Sequence, residues 1–114
     1  MSTEAMKREL YQSISKVAQA LASGNRLQLL EFMAQGERSV DALAAMAAMT
    51  VANASQHLQA LRRAGLVAAR KEGQRVYYRL AGDDVVRLYD VLRTVAESRL
   101  AEVKQLVADF LGDK

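Results

Sequence analysis

The sequence predicts a mainly α-helical single domain spanning residues 1–114, with one small β-hairpin before the last helix, in the order α-α-α-α-β-β-α. Three observations predict it. Apolar residues recur at three- and four-residue steps through most of the chain, and no proline interrupts those runs. The one departure from helical spacing is a pair of short runs around a glycine, the second rich in β-branched and aromatic residues. At 114 residues the chain is one domain's worth, since cores organise in units of roughly 100 to 150 residues. A balance of 51% hydrophobic and 25% charged residues can bury a core, which excludes a disordered tail.

Leu10, Ile14, Val17, Ala18 and Leu21 line one face of a first helix over roughly Glu4 to Ala22. Ser23-Gly24-Asn25 breaks it with capping chemistry, and Leu27, Leu29, Leu30, Phe32 and Met33 mark a second, central helix stopped at Gln35-Gly36. Ser39 caps a short third helix with Val40, Leu43, Ala44 and Ala47 inward and Asp41 at the positive dipole end. After a turn at Ala48-Met49, Thr50 caps a fourth helix to about Ala64, with Val51, Ala54, Leu58 and Leu61 expected inside and Gly65 as its stop. Leu66–Lys71 and Arg75–Leu80 around Glu72-Gly73-Gln74 read as an antiparallel hairpin. Asp83 or Asp84 is expected to cap the last helix, whose apolar stripe from Val85 to Leu111 is longer than a small core could cover.

Several function classes drop out. Charges break every apolar run before the roughly 18 residues a membrane span needs, and Met1–Leu10 has no apolar h-region behind its charges. The expected location is the cytoplasm, with no membrane partner. Cysteine is absent, which removes disulfides, thiolate metal sites and thiol switches. The acids Glu97, Glu102 and Asp109 are spaced as a solvated face without a nucleophile or base, so no enzyme is expected. Met33, Met46 and Met49, with Met1 and Met6, read as scattered core and terminal residues and not as a thioether site. The charge is uneven: between Thr50 and Leu80 six cations, Arg62, Arg63, Arg70, Lys71, Arg75 and Arg79, face one acid, Glu72, so this window is +5 within a chain of net +3. Charge alone would fit a solvated surface as well as a phosphate-binding one.

The pattern from Ser39 to Gly65 bears on that choice. A short capped helix, a tight turn and a longer helix whose outer face carries Ala52, Asn53, Ser55, Gln56, Gln59 and Arg63 is the arrangement of a helix-turn-helix, in which the first helix braces a second that reads base edges in the major groove. Helix pairs are common in any helical domain. A hairpin directly behind the pair, with Arg70, Lys71, Gln74 and Arg75 around its tip, adds the wing that can follow flanking phosphates or enter the minor groove.

The resemblance then becomes specific. Leu21-Ala22-Ser23-Gly24-Asn25-Arg26-Leu27-Gln28-Leu29-Leu30, Ala54-Ser55-Gln56-His57-Leu58-Gln59-Ala60-Leu61-Arg62-Arg63-Ala64-Gly65-Leu66-Val67 and Gly73-Gln74-Arg75-Val76-Tyr77-Tyr78-Arg79-Leu80 resemble the second helix, recognition helix and wing of the ArsR/SmtB winged helix-turn-helix repressors. The resemblance implies a homodimer built by the first and last helices, bound to an inverted-repeat operator and released by an effector. The two long apolar stripes support the dimer independently, because a monomer would expose them. The family's metal sites do not carry over: Ser39 and Asp41 stand where metal-sensing members have their cysteine pair, and Asp84, Val95 and Ser98 where others have ligands on the last helix. No cofactor or metal is expected, and the effector is not identified. The text around the recognition helix most resembles members in which a rhodanese domain follows, and the chain ends at Lys114 where such a domain would begin.

The expected partner is double-stranded promoter DNA. Asn53, Ser55, Gln56 and Gln59 are the candidates for base edges. Thr50, His57, Arg62, Arg63, Arg70, Lys71 and Arg75 are the candidates for phosphate, with Gln74 beside them at the wing tip. His57, the only histidine, suits a structural or phosphate-contacting role better than a metal ligand. Tyr77 and Tyr78 alternate across the wing, so one is expected inward and the other near phosphate. Two rival readings keep DNA as the target: a constitutive or architectural binder without ligand, and a sensor of hard ions using Glu97 and Glu102 across the dimer. A third rival, a helical interaction module, would make the basic window mere surface.

Overall fold

In a computed structural model that describes residues 2–112, the chain forms α1 (Thr3–Leu21), α2 (Gly24–Ala34), β1 (Arg38–Ser39), α3 (Val40–Met46), α4 (Val51–Arg63), β2 (Val67–Glu72), β3 (Arg75–Leu80) and α5 (Asp83–Leu111). Met1 lies outside the described residues.

Four helices start at a hydroxyl side chain that accepts a bond from the amide three residues on, which satisfies one of the orphan donors of a helix start. Ser2, Ser23, Ser39 and Thr50 do so toward Ala5, Arg26, Ala42 and Asn53, at 3.0 to 3.3 Å. The fifth helix differs from expectation. Gly82, in extended backbone, is its N-cap and no side chain caps it. Asp83 and Asp84 occupy the first turn instead, where their charge meets the positive end of the helix dipole, and Asp84 Oδ1 accepts only from the next amide, Val85 N, at 3.0 Å.

Gly65, at φ +79°, terminates α4. Its amide donates to Arg62 O (2.9 Å) and the Leu66 amide to Leu61 O (3.0 Å), the paired bonds of a Schellman motif, with Leu61 and Leu66 both in the core. The same pair of bonds ends α3, from Ala48 to Ala45 O (3.2 Å) and from Met49 to Ala44 O (3.0 Å). There the left-handed position is held by Ala48, at φ +54°.

The hairpin register runs from Val67↔Leu80 to Glu72↔Arg75, which leaves Gly73-Gln74 as a two-residue turn. Positive φ at Gly73 (+61°) and not at Gln74 is the pattern of a type II′ turn, whose twist suits a hairpin. A third strand joins that the sequence did not announce: β1 pairs antiparallel with β3, giving the order β1-β3-β2.

Leu29, Leu30, Leu43, Leu58 and Leu61 are fully buried, and Met33, Leu66, Val67, Tyr78, Leu80 and Val85 close the core around α2. Val51, expected inside, is 49% exposed, because the first turn of α4 projects past the core and Ala54 is the first residue of that helix to reach it. The outer helices stay largely uncovered. In α1 only Ala20 is buried while Met6, Leu10, Tyr11 and Ile14 are exposed, and every residue from Asp90 onward in α5 is exposed. Among the described residues no helix is long and apolar enough to cross a membrane.

Candidate nucleic-acid interface

The period of α4 separates its two faces. Ala54, Leu58 and Leu61 pack inward. At 100° per residue the opposite stripe is Ala52, Gln56, Gln59 and Arg63, flanked by Asn53 on one side and by Ser55 and Arg62 on the other. Thr50, Asn53, Gln56, Gln59, Arg62 and Arg63 are exposed and Ser55 is half-buried. Gln59 Nε2 donates to Ser55 Oγ at 3.2 Å, which tethers one amide along the helix. Asn53 and Gln56 make no side-chain bond among the described residues, so their amides present free donors and acceptors. Arg62 and Arg63 fall in the last turn, where the dipole favours cations.

His57 lies off this stripe. It is half-buried, and its Nδ1 accepts from Arg26 Nε at 3.3 Å, while Arg26 Nη1 donates to Ala20 O at 3.4 Å. The imidazole therefore joins α4 to the start of α2. Nothing in local spacing reveals this contact, which spans 31 residues.

The wing brings together Lys71, Gln74 and Arg75, all exposed at its tip. The pleat puts Lys71 and Arg75 on opposite faces, so the two cations straddle the ribbon. Arg70 is differently placed. Its Nε donates to both Glu37 oxygens at 2.9 and 3.0 Å, its Nη2 to Glu37 Oε1 at 2.6 Å and its Nη1 to Glu72 Oε2 at 2.6 Å. The guanidinium also lies 4.6 Å from the centre of the Tyr77 ring. The bond from Arg70 holds the Glu37 carboxyl below its usual range, against a smaller opposing effect of burial. Arg70 is thus engaged within the chain, and the Tyr77 ring lies beneath it while Tyr78 is buried.

The last helix has its own polar row. Arg93 bonds Glu97 (3.0 Å) and Glu31 (3.1 Å), and Arg99 bonds Glu102 (3.0 Å). Both carboxylates considered for a hard-ion site are therefore matched with arginines inside the protomer. Asp109 accepts from Gln105 at 2.8 Å. Of the methionines, Met33 is core, Met49 half-buried, and Met6 and Met46 exposed.

A braced helix pair, an outward polar stripe and a basic-tipped ribbon define a winged helix-turn-helix, and known proteins share it. Residues 23–69 match the model of the bacterial regulatory protein, arsR family. The chain is 49% identical over 106 residues to the HTH-type transcriptional regulator Rv0324 of Mycobacterium tuberculosis, covering 93% of this chain but only 47% of that relative's length. It is 38% identical over 82 residues to the biofilm growth-associated repressor of Agrobacterium fabrum, covering 72% of this chain and 70% of the repressor. Among solved structures, the solution structure of the homodimeric winged helix-turn-helix DNA-binding domain Mb0332 from Mycobacterium bovis, a possible ArsR-family regulator, superposes with a TM-score of 0.81 at 46% identity, covering 90% of this chain and 93% of that one. The chain belongs to the arsR family of bacterial regulatory proteins.

Proposed function

We propose that the chain is a sequence-specific transcriptional repressor that binds an inverted-repeat operator as a homodimer. One observation carries the reading: α4 turns a polar stripe outward in which Asn53 and Gln56 keep free donors and acceptors, and a wing tipped with Lys71 and Arg75 follows it. Gln56 and Asn53 have the paired donor and acceptor that suit adenine, and Ser55 and Gln59 complete the base-reading set. Thr50, Arg62, Arg63, Lys71, Gln74 and Arg75 serve the phosphates, and His57 takes the structural role, tying α4 to Arg26. Arg70 braces the wing, its charge matched by Glu37 and Glu72. The repressing sense is that of the Agrobacterium relative.

The dimer is supported by apolar surface. Met6, Leu10, Tyr11 and Ile14 on α1 and Val91, Val95, Val103 and Leu106 on α5 are all more than 45% exposed in the protomer. Between the two helices a groove of about 440 Å³, lined by Ile14, Val17, Leu21, Leu88 and Leu92, offers a seat for a partner's side chains. The Mb0332 domain is described as homodimeric. A duplex target supports a cytoplasmic location. The effector itself is not identified. Release by a hard ion at Glu97 and Glu102 is the weaker reading, since an ion would have to displace Arg93 and Arg99.

Equilibrium binding to operator and to unrelated duplex tests this. Gln56→Ala should lower operator affinity by about 1–3 kcal/mol and leave unrelated duplex nearly untouched. Arg75→Ala should weaken both equally and reduce the salt slope by about 1.8, since the dimer loses one phosphate contact in each protomer. An unchanged specificity ratio in Gln56→Ala would remove that residue from the base-reading set.

A further inference from the structure

On the flank of α4 that carries His57, the surface sinks into two adjoining depressions. One, of about 350 Å³, is lined by Arg26, Gln56, His57, Gln59, Ala60 and Arg63. The other, of about 290 Å³, shares Arg26, Ala60 and Arg63 and adds Lys16 and Gln19 from α1. No acid lines either. Among the described residues no carboxylate pairs with Arg26, Lys16 or Arg63, whereas Arg70, Arg93 and Arg99 all have carboxylate partners.

Arg26 differs from an ordinary surface cation. It is half-buried, and two bonds fix its guanidinium, Nε to His57 Nδ1 and Nη1 to Ala20 O. A guanidinium has five donors, so others remain for a ligand. Both bonds go to neutral acceptors when His57 is neutral with its proton on Nε2, the state in which Nδ1 can accept. A fixed, partly desolvated and uncompensated positive charge calls for an anion, and a planar fork suits phosphate oxygens best.

We infer that Arg26, held in place by His57 and joined by Lys16 and Arg63, forms a phosphate site that takes a backbone phosphate of the DNA beside the base-reading face. The inference rests on the repressor reading and extends the contact surface from α4 and the wing to the starts of α2 and the end of α1. Gln56 and Arg63 tie the site to that face, since both belong to the outward stripe of α4. Openness toward solvent suits a diester on a duplex, which must enter without threading. His57 acts through Arg26 as a positioning residue.

The test is the salt dependence of duplex binding by the full chain. Arg26→Gln and the exposed Lys16→Gln should each lower affinity for operator and for unrelated duplex by the same several-fold factor. Each should reduce the slope of log K against log salt by about 1.8, the amount expected when the dimer loses one phosphate contact in each protomer, at unchanged helicity and oligomeric state. His57→Leu should weaken binding when Arg26 is present and have no further effect in the Arg26→Gln background. Slopes equal to wild type in both Arg26→Gln and Lys16→Gln overturn the site, even if Arg26→Gln alone loses affinity through its fold. Displacement of wild type, but not Arg26→Gln, from operator by inorganic phosphate at constant ionic strength would assign the depression to a free anion and overturn the backbone assignment. A wild-type protein with no duplex affinity at low salt defeats the repressor reading itself, a result distinct from either.

Discussion

Ala48 occupies the most demanding backbone position in the turn between α3 and α4. The Schellman bonds from Ala48 and Met49 require a left-handed residue after the α3 cap, and at φ +54° the alanine Cβ crowds the neighbouring carbonyl. Glycine relieves that crowding at the cost of a more flexible unfolded chain, and the crowding is the larger effect. Ala48→Gly should therefore stabilise the protein by roughly 0.5–1 kcal/mol, read as a raised denaturation midpoint with an unchanged denaturant slope. Because Ala48 is exposed and its Schellman bond is made by the backbone, duplex affinity should stay at the wild-type value. A loss of affinity in the stabilised variant would mean that the strained turn sets the angle between the two helices. At this scale the polar stripe of α4 was legible in advance, since Ala54, Leu58 and Leu61 fix the inner face and a period of 3.6 then fixes the outer one. The roles of Arg26 and Arg70 were not legible, because their partners lie 31 and 33 residues away and only the fold brings them near.

Among the elements, the wing shows most clearly what local pattern supplies and what it omits. Alternation and Gly73 gave both long strands and their turn. The two residues of β1 have no periodicity to detect, and they pair with β3 only because α2 delivers them there. Glu37, just before β1, then meets Arg70 of β2 across the intervening β3. This pair is bidentate and stacked on Tyr77, unlike an isolated surface bridge, so its effect belongs to wing geometry more than to global stability. The sign of its pH dependence follows from the lowered Glu37 carboxyl. A depressed folded-state value means the contribution is complete above the ordinary carboxylate range, near 4.5, and is lost as pH falls through the lower folded value. At neutral pH Glu37→Gln should speed hydrogen exchange at the β3 amide that faces β1, and below the folded value the variant and wild type should converge. A variant indistinguishable from wild type at neutral pH would show that backbone pairing alone secures β1. The start of α5 is the other place where local chemistry misled: two consecutive acids suggested a side-chain cap, yet the extended Gly82 takes that position and the acids act through their charge.

For the molecule as a whole, the deciding imbalance is between a compact body and two helices that outrun it. Val85, Val86 and Tyr89 anchor α5, but the helix continues to Leu111, a total length of roughly 44 Å at 1.5 Å per residue. The stripe visible in the sequence is thus real, and the protomer leaves it bare: Val95 is 49%, Val103 55% and Phe110 87% exposed. A second copy related by a twofold axis would cover the same stripe with itself and set two α4 helices facing two half-sites. Charge placed on this stripe should separate association from folding, because neither Val95 nor Val103 supports the protomer's core. The double variant Val95→Glu, Val103→Glu should keep wild-type helicity yet sediment as a monomer. Its affinity for an inverted repeat should fall by about a hundredfold or more, the range in which avidity is lost when two linked contacts become one. Affinity for a single half-site should barely change. A charged variant that remained dimeric would move the interface onto α1 and the groove along Ile14 and Leu21, and one that was monomeric yet bound the inverted repeat at full strength would separate operator recognition from dimerisation altogether.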